Sequence, residues 1–132
     1  MTAPLSIRRA RLTVIDGDPA ADSLTRVRAA DLGAAQRERR YLRADAVRDG
    51  RDPSEVVAAL EVDVVLDERA ADARAAYARL ESAGDTVTYV GTPAGLGSLI
   101  DDVYAAEVAD AVVLRPLGGA RTAALIEGLL AA

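Results

Sequence analysis

Two short loops hold the residues best placed for chemistry. One is Gly91-Thr92-Pro93. The other is Pro116-Leu117-Gly118-Gly119, with Arg115 just before it and Arg121 just after. Thr92 is a good helix N-cap and Pro93 suits the first helical position, so the first loop opens a helix. The second loop also leads into a helical pattern. A helix N-terminus offers free N–H groups and the positive end of a dipole. With Arg115 and Arg121 close by, the chemistry these six residues (Gly91, Thr92, Arg115, Gly118, Gly119 and Arg121) suit is binding of a phosphate. Capping and turn chemistry also accounts for each of them without a ligand.

Other charged groups are candidates of a weaker kind. Glu61 and Asp63 stand two apart and so share one face of a strand. Paired carboxylates can do acid–base work; on an edge strand they guard against edge-to-edge aggregation, and that is the expectation here. Asp16 and Asp18 could hold Mg²⁺ through waters, but an Asp-Gly-Asp-Pro turn explains them and no metal is expected. Arg37, Arg39, Arg40, Arg43 and Arg48 could form a phosphate patch. The expectation is instead a solvated face balanced by Glu38, Asp45 and Asp49.

Composition removes whole classes of reaction. Among the 132 residues there is no Cys and no His, and every basic residue is Arg. A disulfide framework, thiolate chemistry, a Ser-His-Asp triad and a His-ligated metal are all excluded within this sequence. So are a P-loop lysine and a Schiff base. The net charge of −5 argues against general nucleic-acid binding. Met1–Arg11 has no apolar run after its arginines, and no stretch approaches a membrane span, so a cytoplasmic location is expected. No complete catalytic constellation is visible.

The elements that must position the two loops follow from periodicity. Arg11–Asp16 reads as a β-branched strand closed by Asp16-Gly17-Asp18-Pro19. Ala20–Arg48 reads as helical, interrupted at Gly33. Gly50-Arg51-Asp52-Pro53 ends it. Val56–Leu66 is the clearest strand, with Leu60, Val62, Val64 and Leu66 on one face and Glu61, Asp63 and Val65 on the other. Asp67 is expected to cap a helix over Glu68–Ala83, whose stripe is Ala73, Ala76, Tyr77 and Leu80, with Gly84 ending it. Thr86–Val90 is a third strand, followed by a helix with Leu96, Leu99, Ile100, Val103 and Tyr104 on one face. Asp110–Arg115 is a fourth strand, nearly continuous in apolar character as buried parallel strands are. Ala120–Leu130 closes the pattern. Alternation β-α-β-α-β-α-β-α predicts an α/β domain over residues 1–132 with a parallel sheet and right-handed crossovers.

Taken in order, four segments resemble the C-terminal half of luciferase-like flavin-dependent monooxygenases. They are Gly50-Arg51-Asp52-Pro53 ahead of a strand, Val62–Leu80, Val90-Gly91-Thr92-Pro93 opening a helix, and the run A-D-A-V-V-L-R-P at Ala109–Pro116. The resemblance covers roughly Arg11–Leu117. It implies a TIM-barrel fold acting on small organic substrates with reduced FMN or a related deazaflavin. These strands would be the fifth to eighth of the barrel, making this a half TIM-barrel-like, incomplete barrel. The first four, which in the family supply much of the flavin pocket and the usual catalytic His, lie outside this sequence. Gly95 and Gly97 depart from the family's helix formers, and the Arg-rich segment Arg26–Arg48 is also unusual.

The resemblance therefore implies a monooxygenase-type domain with weak or no oxidoreductase activity of its own and no assigned catalytic residue. A flavin phosphate would sit at Gly91, Thr92, Arg115, Gly118, Gly119 and Arg121. Unpaired barrel edges predict a homodimer, or a partner chain that completes the sheet. The alternative expectation is a non-catalytic dimerising module, or the partner subunit of a separate flavoprotein.

Overall fold

The computed structural model describes residues 12–81 and 84–132. The stretch Met1–Arg11, including the expected strand start at Arg11, and the expected helix end at Ala83 lie outside the described residues. The strands are β1 (Leu12–Ile15), β2 (Thr25–Val27), β3 (Ala58–Leu66), β4 (Thr88–Gly91) and β5 (Ala111–Pro116). The helices are α1 (Leu32–Arg48), α2 (Ala70–Ala78), α3 (Pro93–Ala105) and α4 (Ala120–Ala131). The architecture is α/β: one parallel sheet, alternating with helices and not closed on itself.

The strand path runs β1-β5-β3-β2, and β4 continues the line of β2 along the same edge of β3. β2 pairs with Ala58–Leu60 and β4 with Asp63–Leu66. Read from the other end, the path is β2-β3-β5-β1. That is chain order around a ring, cut once, between β1 and β2. The ring curls tightly. In a flat sheet β1 and β2 would lie three strand spacings apart, about 14 Å. Yet Asp16, just past β1, touches the Arg26 side chain in β2 at 2.7 Å.

The two faces are built differently. The outer face carries Leu60, Val62, Val64, Leu66, Val112 and Leu114 under Ala35 of α1, Leu96, Ile100 and Val103 of α3 and Ile126 of α4. The inner apolar cluster is made of smaller groups: Val14, Ala21, Ala59, Ala111 and Val113. β3 is buried along its whole length because it has neighbours on both sides and side chains packed on both faces.

Several expectations are corrected. Ala20–Arg48 is not one helical run. Pro19–Ala21 is a 3-10 turn, Thr25–Val27 is a strand, and helix begins only at Leu32. The strand forms because Thr25 and Val27 are β-branched and β3 supplies a pairing edge. Gly33 does not break the helix. It lies in the first turn, where Asp31 caps by accepting from the Ala34 amide at 2.8 Å. Asp67 does not cap the next helix either, which starts at Ala70 with no side-chain cap and ends at Ala78.

Other signals hold. α1 ends with Arg51 N–H donating to Ala46 C=O and Gly50 N–H to Val47 C=O, with Gly50 at φ +76°, as a Schellman ending requires. Thr92 caps α3, accepting from the Gly95 amide at 3.3 Å, with Pro93 in the first turn. Leu96, Ile100 and Val103 of α3 are buried as the periodicity predicts.

The loop after β5 is held close to β3. Gly118 N–H donates to Val64 C=O, and the buried Thr122 hydroxyl accepts from the Leu66 amide at 3.1 Å. A methyl at Gly118 would collide with the Thr122 side chain, which is locked by that bond. Gly118→Ala should therefore destabilise the fold by about 1–3 kcal/mol, as overpacking of a tight site does. Urea unfolding checks this; a midpoint equal to or above that of the parent would contradict it.

Candidate functional site

Alternation along β3 puts Glu61 and Asp63 on one face, as expected, and in the folded sheet that is the inner face. β3 is nevertheless central, so these carboxylates do not guard an edge. Both are buried, and buried carboxylates need partners. The partners come from neighbouring strands by register. Asp63 lies opposite Arg115, and Asp16 follows Ile15, which lies opposite Leu114. Val27 lies opposite Leu60, placing Arg28 beside Glu61. Asp16, Arg115 and Asp63 thus form one row across the sheet, and Glu61 and Arg28 sit in the row below.

The contacts form a chain of alternating charge. Glu61 accepts from Arg26 Nη1 at 2.6 Å and from Arg28 Nη1 at 2.8 Å, one arginine on each carboxylate oxygen. Arg26 Nη2 donates to Asp16 Oδ1 at 2.7 Å. Arg115 places Nη1 3.4 Å from Asp63 Oδ1 and Nε 3.9 Å from Asp16 Oδ2. Arg28 reaches Asp85 at 3.8 Å. Asp63 Oδ1 is buried and accepts no hydrogen bond among the described residues.

Two of these acids, Glu61 and Asp16, are held ionised. Burial is the largest single influence on Glu61 and opposes its charge. The hydrogen bonds and charges of Arg28 and Arg26 together outweigh it, so its carboxyl lies below the usual carboxylate range. The Arg26 hydrogen bond, followed by the charges of Arg26 and Arg115, lowers Asp16 against a smaller burial effect. Arg26 is raised in turn by Asp16 and Glu61. Carboxylates lowered in this way are poor proton donors near neutrality, so the cluster suits charge pairing rather than acid–base work.

Five of the six residues expected to bind phosphate lie at the carboxyl ends of β4 and β5 or in the turns that follow, and Arg121 lies in the first turn of α4. Asp67 joins the two loops: its N–H donates to Gly91 C=O at 3.1 Å and its carboxylate accepts from Arg121 at 3.1 Å. Gly91 and Arg121 are thereby brought to the same side of the mouth. The amides of Gly118 and Gly119 are committed to Val64 and Pro116, and the Thr92 hydroxyl to Gly95. Arg115 joins the inner charge row instead. Among the described residues, α4 opens at Gly119 with φ +82° and no side-chain cap, so the amides of its first turn have no side-chain acceptor. Gly95 and Gly91 accommodate the Tyr89 ring, which a methyl at either position would strike, and Gly97 faces Leu129 of α4.

The sequence reading missed two charge clusters. Arg26 and Arg28 were absorbed into an expected helix. Arg39 and Arg43 were expected to be solvated but reach 3.0 and 3.2 Å from the buried Asp110, whose other oxygen accepts from the Ala58 amide at 3.1 Å. The alternation of Arg with β-branched residues in Thr25-Arg26-Val27-Arg28 was the available signal for the first.

Asp16 is engaged by Arg26, and Asp18 accepts from the Ala20 amide at 2.9 Å in the turn that follows. No group of three or more acidic residues placed to hold a metal ion occurs among the described residues, and no described helix is long and apolar enough to cross a membrane. Compared with known proteins, the chain matches no family model and no curated protein.

The lowered Glu61 pKa fixes a direction for pH dependence. Its pairing contributes stability that is present above the unfolded carboxyl value of about 4.3 and is lost as pH falls through the lower folded value. Urea unfolding of the parent should show stability falling on acidification below that value. Glu61→Gln should be less stable at pH 7 and should show a shallower fall on acidification. An acid limb as steep as the parent's would refute this role for Glu61.

Proposed function

We propose that this chain is a luciferase-like monooxygenase-type domain that binds a flavin phosphate at the mouth of its sheet, with weak or no oxidoreductase activity of its own. The observation that carries the reading is the uncapped first turn of α4 beside Arg121, at the carboxyl end of a parallel sheet. Ligands of parallel α/β sheets bind at that end, and barrel phosphates favour the loops after the last strands. Of the four strands the resemblance uses, β3 and β4 pair as successive barrel strands do, whereas among the described residues β1 pairs with β5 instead of β3 and β4 does not pair with β5. The low activity follows from composition. The sequence has no His, and the carboxylates of the inner face are ion-paired with arginines.

A second reading is a non-catalytic module, dimerising or serving as partner to a separate flavoprotein. The charge network favours it, since the arginines nearest the mouth already have carboxylate partners.

Titration with FMN and with riboflavin, followed by flavin fluorescence, separates the two. FMN should bind at least about 10-fold more tightly than riboflavin, which lacks the phosphate, a difference of about 1.4 kcal/mol. Arg121→Ala should remove most of that preference. No FMN binding at 100-fold excess over protein, an excess that saturates micromolar sites, would reject the flavin reading and leave the second.

A further inference from the structure

The arginines of α1 divide. Arg39 and Arg43 turn inward to the buried Asp110, and Arg48 pairs with Asp45 at 2.9 Å. Arg37 and Arg40 are exposed and meet no carboxylate within ion-pair distance among the described residues. At about 100° per residue, Arg37, Arg40, Tyr41, Ala44, Val47 and Arg48 share about a third of the helix surface, the third opposite the buried Ala35 and Ala46. Tyr41 and Val47 are 66% and 62% exposed, more than any other large hydrophobic side chain among the described residues. This side of the helix is also hollowed. Arg37, Arg40, Tyr41 and Ala44 line a depression of about 340 Å³. They stand at i, i+3, i+4 and i+7, the corners of the hole that receives one side chain of a facing helix in knobs-into-holes packing. Arg37, Arg40, Ala44 and Val47 continue at the 3-4-3 spacing of a helix–helix seam.

We infer that this side of α1 is a docking surface for an acidic helix of another protein. The partner helix seats one apolar side chain among Arg37, Arg40, Tyr41 and Ala44 and sets carboxylates beside it against Arg37 and Arg40. Geometry selects a helix, because the hole has the outline that a helix side chain fills, and Ala44 leaves its corner open. Charge selects acids, because two guanidinium groups without carboxylates of their own are completed from outside. Each can hold a carboxylate through two parallel N–H···O bonds. Tyr and Arg are the residue types on which binding surfaces most depend. Tyr41 and Val47 give the seam an apolar part that a phosphate backbone could not use. Neither Arg37 nor Arg40 belongs to a charge pair inside the chain, and the surface lies on a helix rather than at a strand edge. The inference does not rest on flavin binding.

The probe is a fluorescein-labelled peptide of about 20 residues, above the length at which isolated helices are marginal, with Leu along one seam and Glu on both flanks. Its anisotropy on titration with the full chain, at about 0.15 M salt, should report micromolar binding. A matched peptide with Lys on the flanks should bind at least about 10-fold more weakly. Arg37→Glu and Arg40→Glu should each weaken the Glu peptide at least about 10-fold, and Ala44→Leu, which fills the hole, should do the same. Arg74→Glu makes the same charge change on α2 and should shift binding by less than about 2-fold, as a screened charge elsewhere on the surface does. All four substitutions fall on exposed positions, so each variant should keep the circular dichroism of the parent. No binding of the Glu peptide, equal binding of the Lys peptide, or as large a loss in Arg74→Glu as in Arg40→Glu would overturn the proposal. So would a DNA duplex that binds more tightly and displaces the peptide, which would make the partner a nucleic acid. A parent that light scattering shows to be dimeric, with Ala44→Leu monomeric, would make the occupant a second copy and overturn the assignment to another protein.

Discussion

Putting Glu61 and Asp63 on the inner face of a central strand sets the condition that the rest of the sheet must meet. Unpaired carboxylates in that position would cost several kcal/mol each, or would be neutralised. Neighbouring strands answer with arginines at the matching register: Arg28 beside Glu61, Arg115 opposite Asp63, and Arg26 reaching across to both Glu61 and Asp16. The choice of arginine matters. Its fork serves two carboxylates at once, as Arg26 does, where an ammonium group would offer a single point charge. The same solution recurs at the other end of β3, where Asp110 holds the Ala58 amide and two arginines of α1.

The sequence made some of this plain. The two faces of β3 follow from the alternation of apolar and acidic residues in Leu60–Val64. The opening of α3 follows from Thr92 and Pro93, whose preferences are local. β5 follows from Val112, Val113 and Leu114, since only a buried strand needs so continuous an apolar run. In each case the information lies within a few neighbouring residues.

What was not legible depended on distant pairing. Three residues of β2 stand in a stretch rich in Ala, Asp and Arg, and they become a strand because Ala58–Leu60 offers an edge. Arg39 and Arg43 look solvated beside nearby acids, yet they are drawn to Asp110, about seventy residues away, which is fixed by the backbone of β3. The expected phosphate site divides for the same reason. Gly91 and Arg121 meet at Asp67, Gly118 is tied to Val64 and Gly119 to Pro116, while Arg115 faces the inner side of the sheet and takes its partners there. Spacing along the chain gave the loops but not the direction of that side chain.

The small size of the inner apolar residues leaves room for the sheet to bend at the end of its strands away from the charge rows. Ala59 and Ala111, with Val14 and Val113, form the inside of the bend, while Leu60, Val112 and Leu114 form the outside. A layer with narrow wedges within and broad ones without bends toward its narrow side, as staves do in a cask. Alanine gives the bend its room at that end, and toward the carboxyl ends of the strands the charged clasp between Asp16 and Arg26 holds the same curve.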